Sequence, residues 1–139
     1  MPFEDFEIAY LNSQRLGRLA TQQRNGTLQV SPVGFAYNAE TGTIDIGGRA
    51  MADTQKFRNV AANGRAAFVV DDLASVDPWR VRCLEIRGRA EAITDPADSA
   101  SRFPGAIIRI HPERIISFGI DEPDKPAYQL TYHNRTVAH

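Results

Sequence analysis

The sequence is poor in the residues that build covalent or metal frameworks. Its 139 residues include one cysteine, Cys83, which excludes an intrachain disulfide and a cysteine metal cluster. The three histidines, His111, His133 and His139, are far apart, and none lies at metal-ligand spacing from a cysteine or a carboxylate. We therefore expect no metal site. Cys83 lies among strand-forming residues, so we expect a packed thiol without a catalytic role.

Several catalytic signatures are also missing. The sequence contains neither Gly-x-Gly-x-x-Gly after a strand nor Gly-x-x-x-x-Gly-Lys-[Ser/Thr], which excludes a Rossmann or a Walker phosphate loop. None of the serines that could serve as a nucleophile lies in a nucleophile-elbow motif.

Long apolar runs and a charge excess are absent as well. The longest uninterrupted apolar stretch, residues 66–70, is far too short to span a membrane. The first ten residues carry three acidic side chains and no basic region, unlike a signal peptide. A net charge of −1 gives no general attraction to nucleic acid or anionic membranes. We expect one cytoplasmic domain over residues 1–139, with neither nucleic acid nor membrane as partner.

Most of the sequence reads as short strands joined by turns. Asn25-Gly26 is a tight-turn signal, and Pro32 indicates an edge position or a bulge. A helix that begins at Asp53 or Thr54 would bury Phe57, Val60 and Ala61 and end at Asn63-Gly64. Another helix is expected over 4–15, one or two helical turns over 95–103, and a loop over 73–78. Strands are predicted over 16–23, 27–37, 43–47, 65–71 (with Phe68, Val69 and Val70 buried) and 79–93, in two runs of 107–120 separated by His111-Pro112, and weakly in the tail after Asp121. Such spacing favours an antiparallel barrel or sandwich.

One stretch combines the features of an anion site. The predicted strand Thr43 to Gly47 ends in Gly47-Gly48, where a ligand can approach the backbone, and Arg49 follows directly. Lys56 and Arg58 lie near the start of the next helix, whose first turn has free N–H groups and positive dipole character. These features indicate a phosphate site. The alternative interpretation is a solvated helix face with ordinary surface charges.

Two longer runs resemble a known family. Arg15-Leu16-Gly17-Arg18-Leu19-Ala20-Thr21 followed by Gln29-Val30-Ser31-Pro32-Val33-Gly34-Phe35 is similar to the opening hairpin of pyridoxamine 5′-phosphate oxidase-like split-barrel flavoproteins. The same family is also resembled in the order of a later set of residues, which comprises Thr43 to Gly48, Lys56, Asn59, Val60 and Arg65 to Val70. Asp71-Asp72-Leu73, Asp77-Pro78-Trp79-Arg80, Glu85-Ile86-Arg87-Gly88 and Ile108-Arg109-Ile110-His111-Pro112 resemble the subgroup that uses the deazaflavin coenzyme F420 in place of FMN.

The resemblance implies a mainly β fold, a six-stranded antiparallel split β-barrel with a few short helices, that forms a homodimer with the cofactor between subunits. It implies that Lys56 and its neighbours hold the cofactor phosphate. It also implies that Ser31 to Gly34 line the isoalloxazine edge. Trp79, Arg80 and Arg82 would reach the site from the other subunit or form a solvent-facing basic loop. The expected cofactor-binding residues are Ser31, Pro32, Val33, Gly34, Gly47, Gly48, Arg49, Lys56, Arg58, Asn59, Trp79 and Arg80.

The resemblance has a limit, since the oxidase's extended C-terminal segment has no recognisable counterpart here. Oxidation of pyridoxamine 5′-phosphate is therefore not expected. The main hypothesis is an F420-dependent reductase that transfers a hydride to a small unsaturated substrate, with Tyr37 or Ser31 as candidates for assisting proton transfer. The alternatives are an FMN- or FAD-binding oxidoreductase of the same fold and a non-catalytic cofactor carrier. The sequence does not define the substrate.

Overall fold

Seven strands and two α-helices form most of residues 2–95 and 100–138, which are the residues that the computed structural model of the chain describes. In chain order they are α1 (Asp5–Ser13), β1 (Leu16–Gln22), β2 (Leu28–Asn38), β3 (Thr43–Gly47), α2 (Gln55–Asn63), β4 (Arg65–Ser75), β5 (Arg80–Ile93), β6 (Ile107–Phe118) and β7 (His133–Thr136). No helix in this part of the chain has the length and apolar character that a membrane crossing requires.

Six strands close into an antiparallel barrel. Their order is β3-β2-β1-β4-β5-β6, and pairing of β3 with β6 closes the ring, while β7 pairs with β6 beyond the end of that seam. The predicted six-stranded split barrel is confirmed. Alternate residues of each strand point inward and form one core, in which Ile44, Ile46, Phe68, Leu84, Ile86, Ile110 and Ile115 are fully buried.

The strand pairing corrects several details of the prediction. β6 is one strand across His111-Pro112, because Gly88 pairs with Pro112 while Arg87 pairs with Arg114, so a bulge absorbs the extra residue. The loop expected over 73–78 shortens to a turn, because Leu73 pairs with Val81 and Ser75 with Arg80.

Two residues expected in the core are not there. Ala61 is exposed on α2, and Val69 is half-buried on the outer face of β4 between the inward-facing Phe68 and Val70. Residues 100–103 are not helical, and the rest of the helix expected over 95–103 falls partly on 96–99, outside the described residues.

Pro32 lies at a local edge of the sheet, as predicted. β3 ends at Gly47, opposite Gly34, so residues 28–33 of β2 have a neighbouring strand only on the β1 side. A proline has no N–H to donate, and a strand edge tolerates that loss. The register between β1 and β2 runs through Pro32 without a bulge. We call residues 28–33 the free edge of β2.

A buried ion pair lies on the seam that closes the barrel. Asp45 of β3 and Arg109 of β6 are register partners. The Arg109 Nε and Nη2 atoms donate to the two carboxylate oxygens of Asp45 at 2.8 and 3.0 Å. Asn38 and Thr43 also donate to this carboxylate, at 2.9 and 3.1 Å. The side chains of Asp45 and Arg109 are only 3% and 9% exposed, so neither charge has water as a substitute partner.

Replacement of Asp45 by alanine should therefore destabilise the fold strongly. It leaves the Arg109 guanidinium buried without its carboxylate, a loss of about 3–5 kcal/mol in the free energy of unfolding. The matched control is Asp71→Ala, which removes an exposed partner of Arg18, 3.3 Å away, and should cost less than about 1 kcal/mol. Urea unfolding of both variants measures the difference, and equal losses would contradict the importance of the seam.

Candidate functional site

The segment that leaves β3 turns sharply into α2. Gly48 and Arg49 follow the strand, Ala50 adopts a left-handed conformation (φ 53°), and a short 3₁₀ turn leads to Thr54. Thr54 caps α2, since its Oγ1 atom accepts from the N–H of Phe57 at 3.3 Å. The remaining first-turn N–H groups, those of Gln55 and Lys56, point out of the helix start. The predicted helix start with free N–H groups is therefore present.

The cations of this segment differ in how they are engaged. Lys56 and Arg49 form no ion pair with the residues that the structure describes, and Arg49 is exposed. Arg58 donates instead to the carbonyl oxygen of Asp53 at 2.9 Å and to the Gln55 side chain at 3.0 Å. Arg49 and Lys56 are thus the charges that remain available for an anion.

Asn59 has a packing role within the chain. It is buried, and its Nδ2 donates to Thr21 Oγ1 at 3.0 Å and to Gln29 Oε1 at 3.3 Å, while its Oδ1 accepts from Gln55 at 2.7 Å. These bonds hold α2 against β1 and β2. The amide of Asn59, which we expected at the cofactor, thus also positions the helix.

The four residues expected to line a cofactor ring alternate across β2. Ser31 and Val33 lie on the inner side, because Ser31 pairs with the buried Leu19, whereas Pro32 and Gly34 are exposed on the outer side. The Ser31 Oγ is buried and has no hydrogen-bond partner among the described residues. A Cβ added at Gly34 would meet nothing within 4 Å. Residues 31–33 belong to the free edge of β2, and Gly34 is the first residue beyond it, where β2 begins to pair with β3.

Gly47 is not open to a ligand. A Cβ at this position would lie 2.3 Å from the Phe103 ring, so that ring already covers the strand. At Gly48 an added Cβ would make only an ordinary 3.7 Å contact with Met51, so the open space beside the backbone lies at Gly48 and not at Gly47.

Trp79 and Arg80 lie at the tip of the β4–β5 hairpin. Trp79 is 57% exposed, and Arg80 donates to its carbonyl oxygen at 3.3 Å. Arg82 is engaged within the chain, because its guanidinium binds both carboxylate oxygens of Asp72 and lies over the Tyr10 ring. The hydrogen bond from Arg82 holds the pKa of Asp72 below its ordinary value.

Two open grooves receive some of the predicted residues. The first, which we call the α2 groove, has a volume of about 340 Å³ and contains Arg58 and Asn59 together with Gln55 and the β1–β2 turn. The second, the α1 groove, has a volume of about 510 Å³ and lies between the end of α1 and the middle of β2. Gly34 lines the α1 groove, and Lys56 lines neither of the two.

Sequence reasoning missed two residues of the α1 groove, Arg102 and Phe103. They lie in the connection between β5 and β6, where a helix was expected, and only the fold brings them to Gly34. Tyr37 lines the same groove, and burial raises the pKa of its phenol. This hydroxyl stays protonated at neutral pH, where it can donate and accept hydrogen bonds.

Cys83 is a packed thiol, as predicted. Burial and the nearby carboxylates of Asp71 and Glu85 raise its pKa to about 11. The thiolate is the nucleophilic form, and it is scarce at neutral pH.

His133 lies close to two carboxylates that the sequence spacing did not indicate. His133 lies 2.9 Å from Asp121, and one ligand atom each of Asp121, Glu122 and His133 lie within 4.8 Å of one another. Glu122 is also paired with Lys125 and accepts from the N–H of Thr131 at 2.7 Å. This cluster is therefore satisfied by neighbouring groups of the chain.

The chain is similar in sequence to known proteins. Residues 5–132 match a family model described as pyridoxamine 5′-phosphate oxidase. A protein of Streptomyces rimosus subsp. rimosus named 5a,11a-dehydrotetracycline/5a,11a-dehydrooxytetracycline reductase is 48% identical over 124 residues, 87% of this chain and 86% of its own length.

Solved structures are similar as well. One titled F420 Reductase is 28% identical and superposes with a TM-score of 0.58, covering 79% of this chain and 94% of that one. The FAD binding protein from Mycobacterium smegmatis has a TM-score of 0.60 at 21% identity, over 97% and 98% of the two chains, and shows likeness in fold.

The two strand glycines should respond differently to an added methyl group. Gly34→Ala should change the free energy of unfolding by less than about 0.5 kcal/mol, because the space is open. Gly47→Ala should cost about 1–3 kcal/mol, because the new Cβ collides with Phe103. Urea unfolding tests this pair, and a Gly34→Ala variant as unstable as Gly47→Ala would show that the groove is not open.

Proposed function

The chain belongs to the pyridoxamine 5′-phosphate oxidase family, and we propose that it is a reductase that uses the deazaflavin coenzyme F420 to reduce a small unsaturated organic substrate. The observation that carries the proposal is the 48% identity, across 87% of the chain, with a protein named as a dehydrotetracycline reductase. The likeness to an F420 reductase structure supports the choice of cofactor.

The residues around the β3–α2 turn fit the phosphate group of such a cofactor. Lys56 supplies a point charge and Arg49 a planar donor fork, and neither has an ion-pair partner within the described part of the chain. The N–H groups of Gln55 and Lys56 add the positive end of the α2 dipole. Gly48 leaves the backbone accessible at the same turn.

The free edge of β2 fits the polar rim of a planar heterocycle. Its backbone groups face no strand on the side that β3 has left. The buried Ser31 hydroxyl has no hydrogen-bond partner in residues 2–95 and 100–138, a situation that costs about 1–3 kcal/mol unless a ligand supplies one. These observations support a ring bound along residues 31–34, with the phosphate near Lys56.

Such a site needs little chemistry from the protein. When bound, the reduced deazaflavin supplies a hydride for the acceptor's activated double bond. The chain's part is to hold the acceptor beside the ring, to exclude water and to provide the proton that completes the reduction. The Tyr37 phenol carries a proton at neutral pH and lines the α1 groove, which makes it the donor that we propose. The sequence has no nucleophile motif, which agrees with a reaction in which the cofactor supplies the hydride and the protein forms no covalent intermediate.

We further propose a cytoplasmic homodimer with the cofactor near the subunit interface. Leu28 and Val30 are 76% and 69% exposed on the outer face of β2, where Val30 borders a mainly apolar groove with Ala20, Ala67 and Val69. Exposed apolar surface of this kind marks interaction sites. Because the same strand carries the free edge, a partner subunit bound here would cover the cofactor.

The variant Val30→Glu tests this interface. Light scattering should show that the variant is a monomer, and an unaffected dimer would exclude this face.

A cofactor titration tests the proposed function. Purified protein should bind F420 more tightly than FMN or FAD, because the site is proposed for the deazaflavin, and fluorescence quenching gives each dissociation constant. Equal or weaker binding of F420 would overturn the proposal, and stoichiometric FMN in the purified protein would favour a flavin enzyme. Tight F420 binding without turnover on unsaturated acceptors would instead indicate a carrier.

Lys56 should contribute to cofactor affinity. Lys56→Ala should lower the affinity by about 1–3 kcal/mol, the range for losing a hydrogen bond to a charged group, while the fold stays intact. Lys125→Ala is a matched control, because Lys125 is the only other lysine and is paired with Glu122. If both variants bind the cofactor like the parent protein, the phosphate lies elsewhere.

A further inference from the structure

The α1 groove offers space for a second ligand beside the proposed cofactor. Its volume of about 510 Å³ is within the range of small-molecule sites and suits a compact ring system. The last turn of α1 forms one wall, and the connection before β6 forms another with Arg102 and Phe103. Gly34 leaves the β2 side open.

The charge of the groove is one-sided. Arg15 and Arg102 line it, and no carboxylate does so among the described residues. Neither arginine has an ion-pair partner in the described ranges, whereas Arg18, Arg82, Arg87, Arg89, Arg109 and Arg135 each lie against a carboxylate. Two unpaired guanidinium groups on one groove favour a ligand with ionised oxygens, which their planar forks can bind in pairs.

The groove adjoins the stretch proposed for the cofactor ring. Gly34 connects the two, because it directly follows the free edge of β2 and also lines the groove. A molecule in the groove would thus lie beside a ring held along residues 31–34. The Phe103 ring lies so close to Gly47 that no side chain fits there, and it offers an aromatic wall to a planar ligand.

We propose that the α1 groove is the acceptor site and that Arg15 and Arg102 select acceptors carrying an ionised enol or carboxylate. This inference rests on the proposed reductase function. The two arginines are binding residues that set specificity, and Phe103 positions the ring system of the acceptor. The acidic tail of the cofactor is the other source of an anion for these arginines, and the experiment has to separate the two.

The test is equilibrium binding of tetracycline, used as a ring-system probe with an ionised enol, to the purified protein with and without oxidised F420. Arg15→Gln and Arg102→Gln should each weaken probe binding about ten-fold or more, the loss expected when a charge-assisted hydrogen bond is removed. The dissociation constants of both variants for F420 should stay within about two-fold of the parent value. Arg114→Gln, a control that loses only a hydrogen bond to Thr136 outside the groove, should leave both affinities unchanged.

Unchanged probe binding in both arginine variants, or no binding to the parent protein, would overturn the acceptor site. Weakened F420 binding with unchanged probe binding would also overturn it and assign the arginines to the cofactor tail. If F420 fails to bind but the probe binds through both arginines, the groove assignment stands and the proposed function fails. Unfolding midpoints of the variants identify any loss caused by misfolding.

Discussion

A short seam closes the barrel, and a buried ion pair lies at its centre. β3 and β6 pair through only three residues each, and the middle pair is Asp45 and Arg109. Their two parallel hydrogen bonds join two charges that are almost removed from water. Asn38 extends this contact, since its amide donates both to Asp45 and to the carbonyl oxygen of Ala100. The hydrogen bond from Asn38 thus attaches the β5–β6 connection to the barrel beside the seam.

The shortness of β3 explains where the candidate site lies. Because the strand ends at Gly47, β2 keeps a free edge over residues 28–33, and the chain must turn at Gly48 to begin α2. That turn brings Lys56 to a helix start with unused N–H groups. The connection tied down at Ala100 then places Phe103 over Gly47 and Arg102 beside the α1 groove. A closure that stabilises the fold therefore also shapes both proposed binding regions.

Patterns within neighbouring residues could be predicted from the sequence. The alternation in β5, the cap at Thr54 and the stop at Gly64 follow from local periodicity and backbone preference, and the structure has them. The anion site that we propose at Gly48, Arg49 and Lys56 rests on a local pattern of the same kind. Contacts between distant residues could not be predicted. Phe103 covers Gly47, Asn59 donates a hydrogen bond to Thr21, and Arg82 donates to the carboxylate of Asp72. Each depends on which strands become neighbours.

The central claim is that one ligand spans the free edge of β2 and the start of α2. The most direct measurement is the set of backbone amide signals that move when oxidised F420 is added to isotope-labelled protein. The account predicts shifts at Ser31, Val33 and Gly34 and at residues 48–56, with β7 unaffected. Shifts confined to other parts of the chain, with both of these segments unchanged, would contradict it.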